Sequence, residues 1–598
     1  MSIAVTGSVT ETLLRPAMVL HGRPRTETTG IYIPVFSIGG ILNKSLPIAL
    51  GCIALLGGSL LQAAEINNKR SLNAHMLDNP AAYIPSQCYT KTVDELKRVH
   101  NPCFSCHTPA IPPNFIVDDD LQLGYEFSEI PRTNRWTNLF KDRRAALASI
   151  TDEEAWNYIR SSNYFDDKGR ILPALKLAKL PEDWDHDGNG RWEGFVPDIR
   201  LNFDTEGFDR DEWGKLTGWR AFGYYPFLGT FWPTNGSTDD VMIRLPQAFR
   251  TNLQGKNDLT VYKTNLAIVE AMLKERDVAI DPIDEAAMGG VDLDKDGRIG
   301  TARKIAYDWA PLKQKHMWYV GKALAEQKAG RVHLAAGLYP EGTEFLHTVR
   351  YIDVNTAGDN LLAARMKEVR YAKKRYWTTY ADLENQALKE FKEKNDFPDR
   401  LRTVRGNIEA GVSNGQGWVY AGMIEDARGE LRPQNYEELT FCVGCHGGIG
   451  ANRDGIFSFH RKFDYSGAHQ RGWYHWSQKG LQGTPERLRA DGEPEYAFYL
   501  KTNGAGDEFR GNREVMDKFF KPDGTLDQGM LEKLRGDIST LLFASKQRAL
   551  ELNKAYWLIV REQSFVEGRD ATTSPVTSVH QHIKEDDATG ILTPIAGY

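Results

Sequence analysis

The distribution of apolar and polar residues varies strongly along the chain and predicts mostly helices. Residues 529–563 carry apolar side chains at spacings of three and four, as amphipathic helices do. Residues 360–395 contain no glycine or proline, and we expect them to be helical throughout. Alternating, strand-like stretches are few and short. The pattern therefore predicts a mainly α-helical, loop-rich protein with several domains.

The apolar segment LPIALGCIALLGGSLLQAA, residues 46–64, predicts export. It carries no charge, follows Lys44 and ends in Ala63 and Ala64. These features are typical of a secretory signal peptide that is cut near Ala64, although a segment of this length can also stay in place as a membrane anchor. Apolar residues continue beyond Cys52, which argues against lipid attachment there. We expect an exported protein in the bacterial periplasm; the alternatives are a membrane-anchored or an extracellular one, and a membrane is a partner only if the segment is retained.

Composition narrows the classes of function. The 598-residue chain is 41% hydrophobic and 26% charged, as soluble globular proteins are, and its length indicates several domains. Its net charge is −6 and it has no long basic run, so nucleic acid is not an expected partner. Four of the six cysteines form two copies of one short motif. That use of cysteine does not fit a disulfide scaffold.

The two copies read CFSCH at residues 103–107 and CVGCH at residues 442–446. Two cysteines three positions apart on a helical turn can form thioethers with the vinyl groups of a haem, and the adjacent histidine can bind its iron. Residues 92–102 and 433–441 predict a short helix before each motif. A zinc ribbon would need its two CxxC units within about twenty residues of each other, and a dithiol redox pair would need neither the histidine nor a second copy.

These residues resemble the haem-attachment signature of c-type cytochromes. The resemblance covers only the two motifs and their flanks. It implies two covalently bound haem c groups, tethered by Cys103 and Cys106 and by Cys442 and Cys445, with His107 and His446 as proximal iron ligands. Candidates for the distal ligand of the second haem are His460, His469 and His475. Candidates for the first haem are scattered: His75, Met76, His347, His580 and His582.

The resemblance implies an exported dihaem protein that exchanges electrons with redox partner proteins. The chain is much longer than two haem-binding domains require, so two alternatives stay open. One is a dihaem oxidoreductase of the peroxidase or oxygenase kind with an open distal site on one haem. The other is a haem-bearing subunit of a larger redox complex. The sequence leaves open whether the protein is an enzyme.

Two acidic loops, WDHDGNGRWEG at 184–194 and VDLDKDGRIG at 291–300, are similar to EF-hand calcium loops. Alternating carboxylates before a glycine place hard oxygen ligands on one side of a tight turn. Loop position twelve, where a bidentate glutamate belongs, holds Val196 in the first loop and Arg303 in the second. We expect weak calcium binding, with a plain turn as the alternative for each loop. The candidate ligands are Asp185, Asp187 and Asn189, and Asp292, Asp294 and Asp296.

Together these features predict two cytochrome c-like segments that flank a large middle region. The predicted parts are an extension with the signal peptide at 1–64, a first haem c segment at 65–150, the middle region with both acidic loops at 151–400, a second haem c segment at 401–490, C-terminal helices at 491–568 and a surface tail at 569–598.

Overall fold

The computed structural model describes Leu72, Ala74, His75 and residues 77–230, 235–464, 470–505 and 508–597. These residues belong to a compact unit that runs from Lys69 to Tyr598. The predicted signal peptide and Cys52 lie outside the described residues, as do the ligand candidates Met76 and His469.

Thirteen α-helices occur in the described part of the chain, joined by loops and short 3-10 turns. They are α1 (Arg144–Ala148), α2 (Asp152–Arg160), α3 (Leu172–Leu177), α4 (Leu259–Lys274), α5 (Lys322–Lys328), α6 (Tyr380–Asp396), α7 (Tyr436–His446), α8 (Ser458–Arg461), α9 (Glu495–Asn503), α10 (Arg513–Phe519), α11 (Gln528–Gly536), α12 (Ser539–Leu542) and α13 (Lys546–Glu562). The last three account for the amphipathic pattern at 529–563. None of the helices that the structure describes has the length and apolarity needed to cross a bilayer.

Eleven strands occur in the same residues. They are β1 (Phe208–Arg210), β2 (Leu216–Phe222), β3 (Thr238–Arg244), β4 (Val278–Asp284), β5 (Thr301–Ile305), β6 (Glu344–Val354), β7 (Asn360–Lys374), β8 (Arg405–Asn407), β9 (Gly411–Ser413), β10 (Trp418–Glu425) and β11 (Leu431–Pro433). Nine of them form one antiparallel sheet in the order β1-β2-β3-β6-β7-β10-β9-β8, with β11 also paired to β10. Strands β4 and β5 form a separate hairpin.

The expectation of a mainly α-helical fold is therefore wrong, because a large antiparallel sheet organises the molecule: 19% of the chain is strand and 31% is helix. The predicted arrangement of two cytochrome c-like segments around a middle region is also wrong, because the helix that carries the second motif packs on this sheet. The clearest error is at residues 360–395, where a 15-residue strand, β7, precedes helix α6.

Strand β7 was misread because several of its buried positions are charged. Lys367 is 0% exposed and Glu368 1% exposed, and Glu368 accepts hydrogen bonds from Arg370 and Arg569. Ion pairs of this kind let charged residues occupy a sheet interior, which hides the two-residue hydrophobic period. The helix begins only at Thr379, whose side chain forms a reciprocal capping box with Asp382.

Hydrophobic clusters cover both faces of the sheet. On one face, Phe345, Ala372 and Tyr420 are neighbours on β6, β7 and β10 and pack with helices α4 and α7. On the other, Leu346 and Val369 belong to a second cluster. Successive residues of a strand point to opposite faces, so the register of β6 and β7 fixes which side chains face α7.

The C-terminal residues are packed against the first motif segment rather than lying loosely on the surface. Thr90 pairs with Val579, Thr133 with His582 and Gly124 with Ala588. The backbone N–H of Gly597 donates to Thr108 Oγ1 at 2.8 Å. Val579 and Ile583 are 3% and 0% exposed, so this C-terminal strap (residues 569–597) contributes to the core.

Candidate functional site

Helix α7 carries the second motif, in agreement with the helix predicted before it. Asn435 caps its N-terminus by accepting from the N–H of Glu438, and Glu438 accepts in return from the N–H of Asn435. The Glu438 carboxylate also pairs with both terminal nitrogens of Arg432 at 2.8 Å. The helix start is thus held rigidly, and Cys442, Cys445 and His446 follow on its last turns.

The ring of His446 is fixed in one tautomer. Its Nδ1 lies 2.7 Å from the carbonyl oxygen of Gly455, which can only accept, so Nδ1 carries the hydrogen. Tyr420 stacks on the ring at a centroid distance of 4.9 Å and Phe457 meets it at 5.4 Å. Burial lowers the pKa of His446 to about 4, with the Gly455 bond opposing the shift. At neutral pH the ring is uncharged and Nε2 has a lone pair available for a metal.

The first motif lies in a loop, and the helix predicted at 92–102 is absent. Asp94 accepts hydrogen bonds from the backbone N–H groups of Leu96 and Arg98, which closes a turn in place of a helix. Helical geometry is confined to Cys103–Ser105, where the N–H of His107 donates to the Cys103 carbonyl at 2.9 Å. That single turn still places both thiols and the histidine together.

The ring of His107 is held by Asp118. Its Nδ1 lies 3.0 Å from Asp118 Oδ2, and the other carboxylate oxygen accepts from the backbone N–H of Gly450 at 3.1 Å. Asp118 is 7% exposed. A carboxylate on Nδ1 fixes the orientation of a histidine and leaves Nε2 as the coordinating atom. Sequence reasoning missed Asp118 and Gly455, since no local signal marks either as a partner of a histidine.

The loops that follow the two motifs touch each other. The backbone N–H of Ala451 donates to the Cys106 carbonyl at 3.2 Å. The side chain of Asn114 donates to the carbonyls of Gly448 and Ile449 at 3.1 and 2.9 Å. Two motifs separated by most of the chain are thus folded into one site.

The thiols of this site are partly buried and protonated. Burial raises the pKa of Cys103 to about 12 and that of Cys445 to about 11. It also raises the pKa of Cys106 well above the usual value, and the sulfurs of Cys445 and Cys88 add to that effect. None of the five cysteines in the described residues forms a disulfide. A dithiol redox pair needs a thiolate of low pKa, so these surroundings disfavour that alternative.

The remaining histidine candidates do not converge on one position. His475 is 4% exposed and has partners on both nitrogens, Asp240 at 2.8 Å and Ser477 at 2.7 Å. Burial and the neighbouring arginines lower the pKa of His460 to about 3. His347 lies on β6 with Nδ1 3.6 Å from Asp239. The geometry therefore makes His475 a structural residue and leaves the distal ligands unassigned.

In the second acidic loop, two of the predicted ligands form a group of carboxylates with a third residue that was not predicted. Ligand atoms of Asp292, Asp294 and Glu285 all lie within 4.8 Å of one another. Glu285 is 1% exposed and accepts from the N–H groups of Leu293 and Gly300. The Oδ1 atom of Asp292 is buried without a hydrogen-bond partner among the described residues.

The acidic side chains of the first loop bond to the loop's own N–H groups. Asp185 accepts from the N–H groups of Gly188 and Gly190, and Asp187 accepts from Asn189. In the second loop Asp296 is exposed and accepts from the N–H of Arg298, outside the carboxylate group. In the second loop the structure brings the predicted ligands Asp292 and Asp294 together, with Glu285 as a third member that loop spacing did not indicate.

Comparison with known proteins places this chain in a family of lipoproteins. The profile of a lipoprotein family matches residues 72–536, and the chain belongs to that family. It is 33% identical over 583 residues to an uncharacterized lipoprotein of Aquifex aeolicus (strain VF5), an alignment that covers 89% of this chain and 92% of the relative. No solved structure matches the chain.

The resemblance to c-type cytochromes is therefore wrong as an assignment of family. The family profile and the relative both identify a lipoprotein family, and neither supports the labels cytochrome c, haem or electron transfer. The error has a physical origin: a five-residue motif specifies local chemistry and leaves the surrounding fold undetermined. Export, by contrast, agrees with the family.

Proposed function

We propose that this lipoprotein, although it is no member of the c-type cytochrome family, binds two haems covalently and transfers electrons to or from redox partner proteins. The observation that carries the proposal is the convergence of two CxxCH segments, each with a histidine whose Nδ1 is held by an acceptor. His107 has Asp118 and His446 has the Gly455 carbonyl. Such outer partners are typical of histidines that ligate metals.

The side chains present fit this group chemically. In each motif a helical turn presents two thiols on one side of the backbone, with a histidine next in sequence. All four motif cysteines are only partly buried, so they border accessible space. Cys103 and Cys106 would hold one haem and Cys442 and Cys445 the other. Haem supplies one-electron redox chemistry when bound.

The chain's own part in this function is to position and insulate. Helix α7, fixed at its capped N-terminus, sets the direction of Cys442, Cys445 and His446. Asp118 links the two sites, because one carboxylate holds His107 and the N–H of Gly450 together. Tyr420 and Phe457 keep water from the faces of the His446 ring. The contact of the two segments favours exchange between the sites.

The proposal is tested by counting covalent haem. Produced in a host that attaches haem to exported proteins, the chain should give two haems in a pyridine haemochrome assay. The double variants Cys103→Ser/Cys106→Ser and Cys442→Ser/Cys445→Ser should each retain one. Cys88→Ser is the matched control, since this thiol is buried beside both motifs but belongs to neither. A wild-type chain without covalent haem would refute the proposal.

The ferric spectrum then separates an electron carrier from an enzyme. We expect low-spin haem that does not respond to peroxide, cyanide or imidazole. A high-spin fraction that reacts with them would instead indicate a haem-dependent oxidoreductase with an open distal position. Stable co-purification with a second protein would indicate a subunit of a larger complex.

We further propose that the protein resides in the bacterial periplasm and is anchored by a lipid on Cys52. Membership of a lipoprotein family supports this over cleavage near Ala64, and Cys52 is the only cysteine before Cys88. A lipid anchor holds a protein at a membrane without a spanning helix. Cys52→Ser should move the protein from the membrane fraction to the soluble fraction, whereas Cys88→Ser should leave it in the membrane fraction.

We also propose that the second acidic loop binds Ca²⁺. Glu285, Asp292 and Asp294 provide the hard oxygen ligands that calcium prefers. The buried Glu285 supplies the carboxylate that loop position twelve lacks. Bound calcium would offset the repulsion among these three carboxylates. We therefore expect it to stabilise the fold.

A further inference from the structure

A cleft that the proposed function does not use has in its wall an arginine, Arg220, that makes no salt bridge. It has a volume of about 460 Å³ and lies between strand β2, helix α4, strand β4 and the segment around Trp473. Arg220 of β2 forms its inner wall, and we call it the Arg220 cleft. Its other walls carry Val278, Ile280 and Ile283, so part of the lining is apolar.

Arg220 is 3% exposed, and its guanidinium is held flat between two aromatic rings. Its carbon Cζ lies 4.3 Å from the centroid of Phe208 and 4.0 Å from that of Trp473. The Nε atom donates to the Glu206 carbonyl at 3.1 Å. The terminal Nη1 and Nη2 have no hydrogen-bond partner among the described residues, and no described carboxylate lies within 4.0 Å of them. The rings therefore present the fork of donors to the cleft.

The other cations of the cleft are already paired. Lys263 bonds Glu206 at 2.8 Å and Asp281 at 3.1 Å. Lys462 bonds Glu270 at 3.1 Å, and Arg276 pairs with Asp464. Arg471 lies 3.5 Å from Asp281. Arg220 is therefore the cation of the described cleft lining that makes no salt bridge, although the carboxylates of Glu206, Glu270 and Asp204 attract it from farther away.

A buried guanidinium whose Nη donors lack acceptors is costly, and an anion that is not part of the chain would satisfy them. Burial lowers the pKa of Arg220 to about 10, which leaves it protonated at neutral pH. The planar fork of an arginine matches two oxygens of a carboxylate or a phosphate. One free positive charge balances a monoanion, whereas a dianionic phosphate would face the acidic residues of the same cleft. The apolar wall suits a ligand with a hydrocarbon body.

We propose that the Arg220 cleft binds a small organic carboxylate, with the carboxylate on Nη1 and Nη2 of Arg220 and the hydrocarbon body against the β4 wall. The binding site is independent of the haem proposal, because the argument for it uses no residue of either motif. It gives the protein a ligand-binding activity in addition to electron transfer.

The test is calorimetric titration of the purified protein with benzoate, benzamide and inorganic phosphate at constant ionic strength. Benzoate should bind saturably, benzamide, its neutral analogue, should not, and phosphate should bind more weakly than benzoate. Arg220→Met should reduce benzoate affinity about tenfold or more, since charge-assisted hydrogen bonds are lost. Arg220→Lys should also bind more weakly, because an ammonium cannot make two parallel bonds. Arg513→Met, at an exposed position, is the matched control.

Thermal unfolding distinguishes a ligand site from a structural arginine. The midpoint of Arg220→Met should stay close to that of the wild type, because the change removes no internal ion pair and a single hydrogen bond from Nε, and methionine can keep apolar contact with Phe208 and Trp473. Equal binding of benzoate and benzamide, unchanged affinity in Arg220→Met, or tighter binding of phosphate than of benzoate would overturn the proposal. Should Arg220→Met fail to fold, the wild-type comparison of benzoate with benzamide and the Arg220→Lys variant still decide it.

Discussion

The buried pair of Lys374 and Asp454 is expected to be a main support of the second motif. Lys374 ends strand β7, and both side chains are 0% exposed, with Nζ 2.5 Å from Oδ1. The second oxygen of Asp454 accepts from the N–H of Tyr339 at 3.0 Å. Asp454 has a φ of 50° and directly precedes Gly455, whose carbonyl holds the His446 ring. Removing the lysine therefore disturbs both the core and the motif.

The expected cost follows from burial. Burial raises the pKa of Asp454 and lowers that of Lys374, and the attraction between the two opposes both shifts. Lys374→Met keeps the volume but strands a carboxylate in the core, which costs about 3–5 kcal/mol of unfolding free energy. The double variant Lys374→Met/Asp454→Asn removes both charges and should lose less than the single variant.

The assay is equilibrium denaturation in guanidinium chloride, followed by circular dichroism. Lys392→Met is the matched control, because its ion pair with Asp396 is on the surface, with Lys392 73% exposed, and should contribute about 0.5 kcal/mol or less. A loss below about 1 kcal/mol for Lys374→Met, or a double variant less stable than the single one, would refute the reasoning.

Three further changes test separate parts of the structure. Glu486 accepts from the N–H groups of Tyr496 and Ala497, and burial raises its pKa from 4.5 to about 7. Between these two pH values Glu486 keeps a proton in the folded state that it has released in the unfolded state. The free energy of unfolding should therefore fall by about 3 kcal/mol as pH rises from 4.5 to 7. Glu486→Gln should abolish this pH-dependent component, as urea titrations at pH 5 and pH 7 would show. Ca²⁺ should raise the thermal midpoint of the wild type and of Asp187→Asn but not of Glu285→Gln; an equal rise in Glu285→Gln would exclude this site. A Cβ at Gly450 would overlap the Thr108 carbonyl oxygen, so Gly450→Ala should separate the two motif segments and destabilise the protein by about 1–3 kcal/mol in denaturant titrations. Gly511→Ala is the control, because its Cβ would meet open space, and it should leave the segments in contact.

One local element of the site could be predicted from the sequence. Residues 433–441 predicted a short helix before the second motif, and helix α7 forms there with Asn435 as its cap. The position of Asp118 relative to Gly450 depends on the folding of the whole chain, and no local pattern reports it. Glu285 was not predicted either, because it lies before the acidic loop in the sequence and joins Asp292 and Asp294 only in the folded chain.

The large sheet was missed because its longest strand breaks the pattern on which strand prediction relies. In β7 the buried positions include Lys367 and Glu368, so an apolar alternation was absent. Conversely, the helix predicted at 92–102 is absent because Asp94 accepts from the nearby N–H groups of Leu96 and Arg98 and forms a turn. Such a local side-chain bond competes with the helix, whereas the partner that holds Glu368, Arg569, lies far away in the sequence.

The C-terminal strap has a consequence for the order of assembly. It pairs with residues 90, 124 and 133 and ends against Thr108, beside Cys106 and His107, although more than 400 positions separate it from them along the chain. The first motif therefore cannot reach its final packing until residues 569–597 have been synthesised and exported. During that interval the segment that carries Cys103 and Cys106 lacks these contacts, so under the function proposed above haem attachment precedes the packing of the strap.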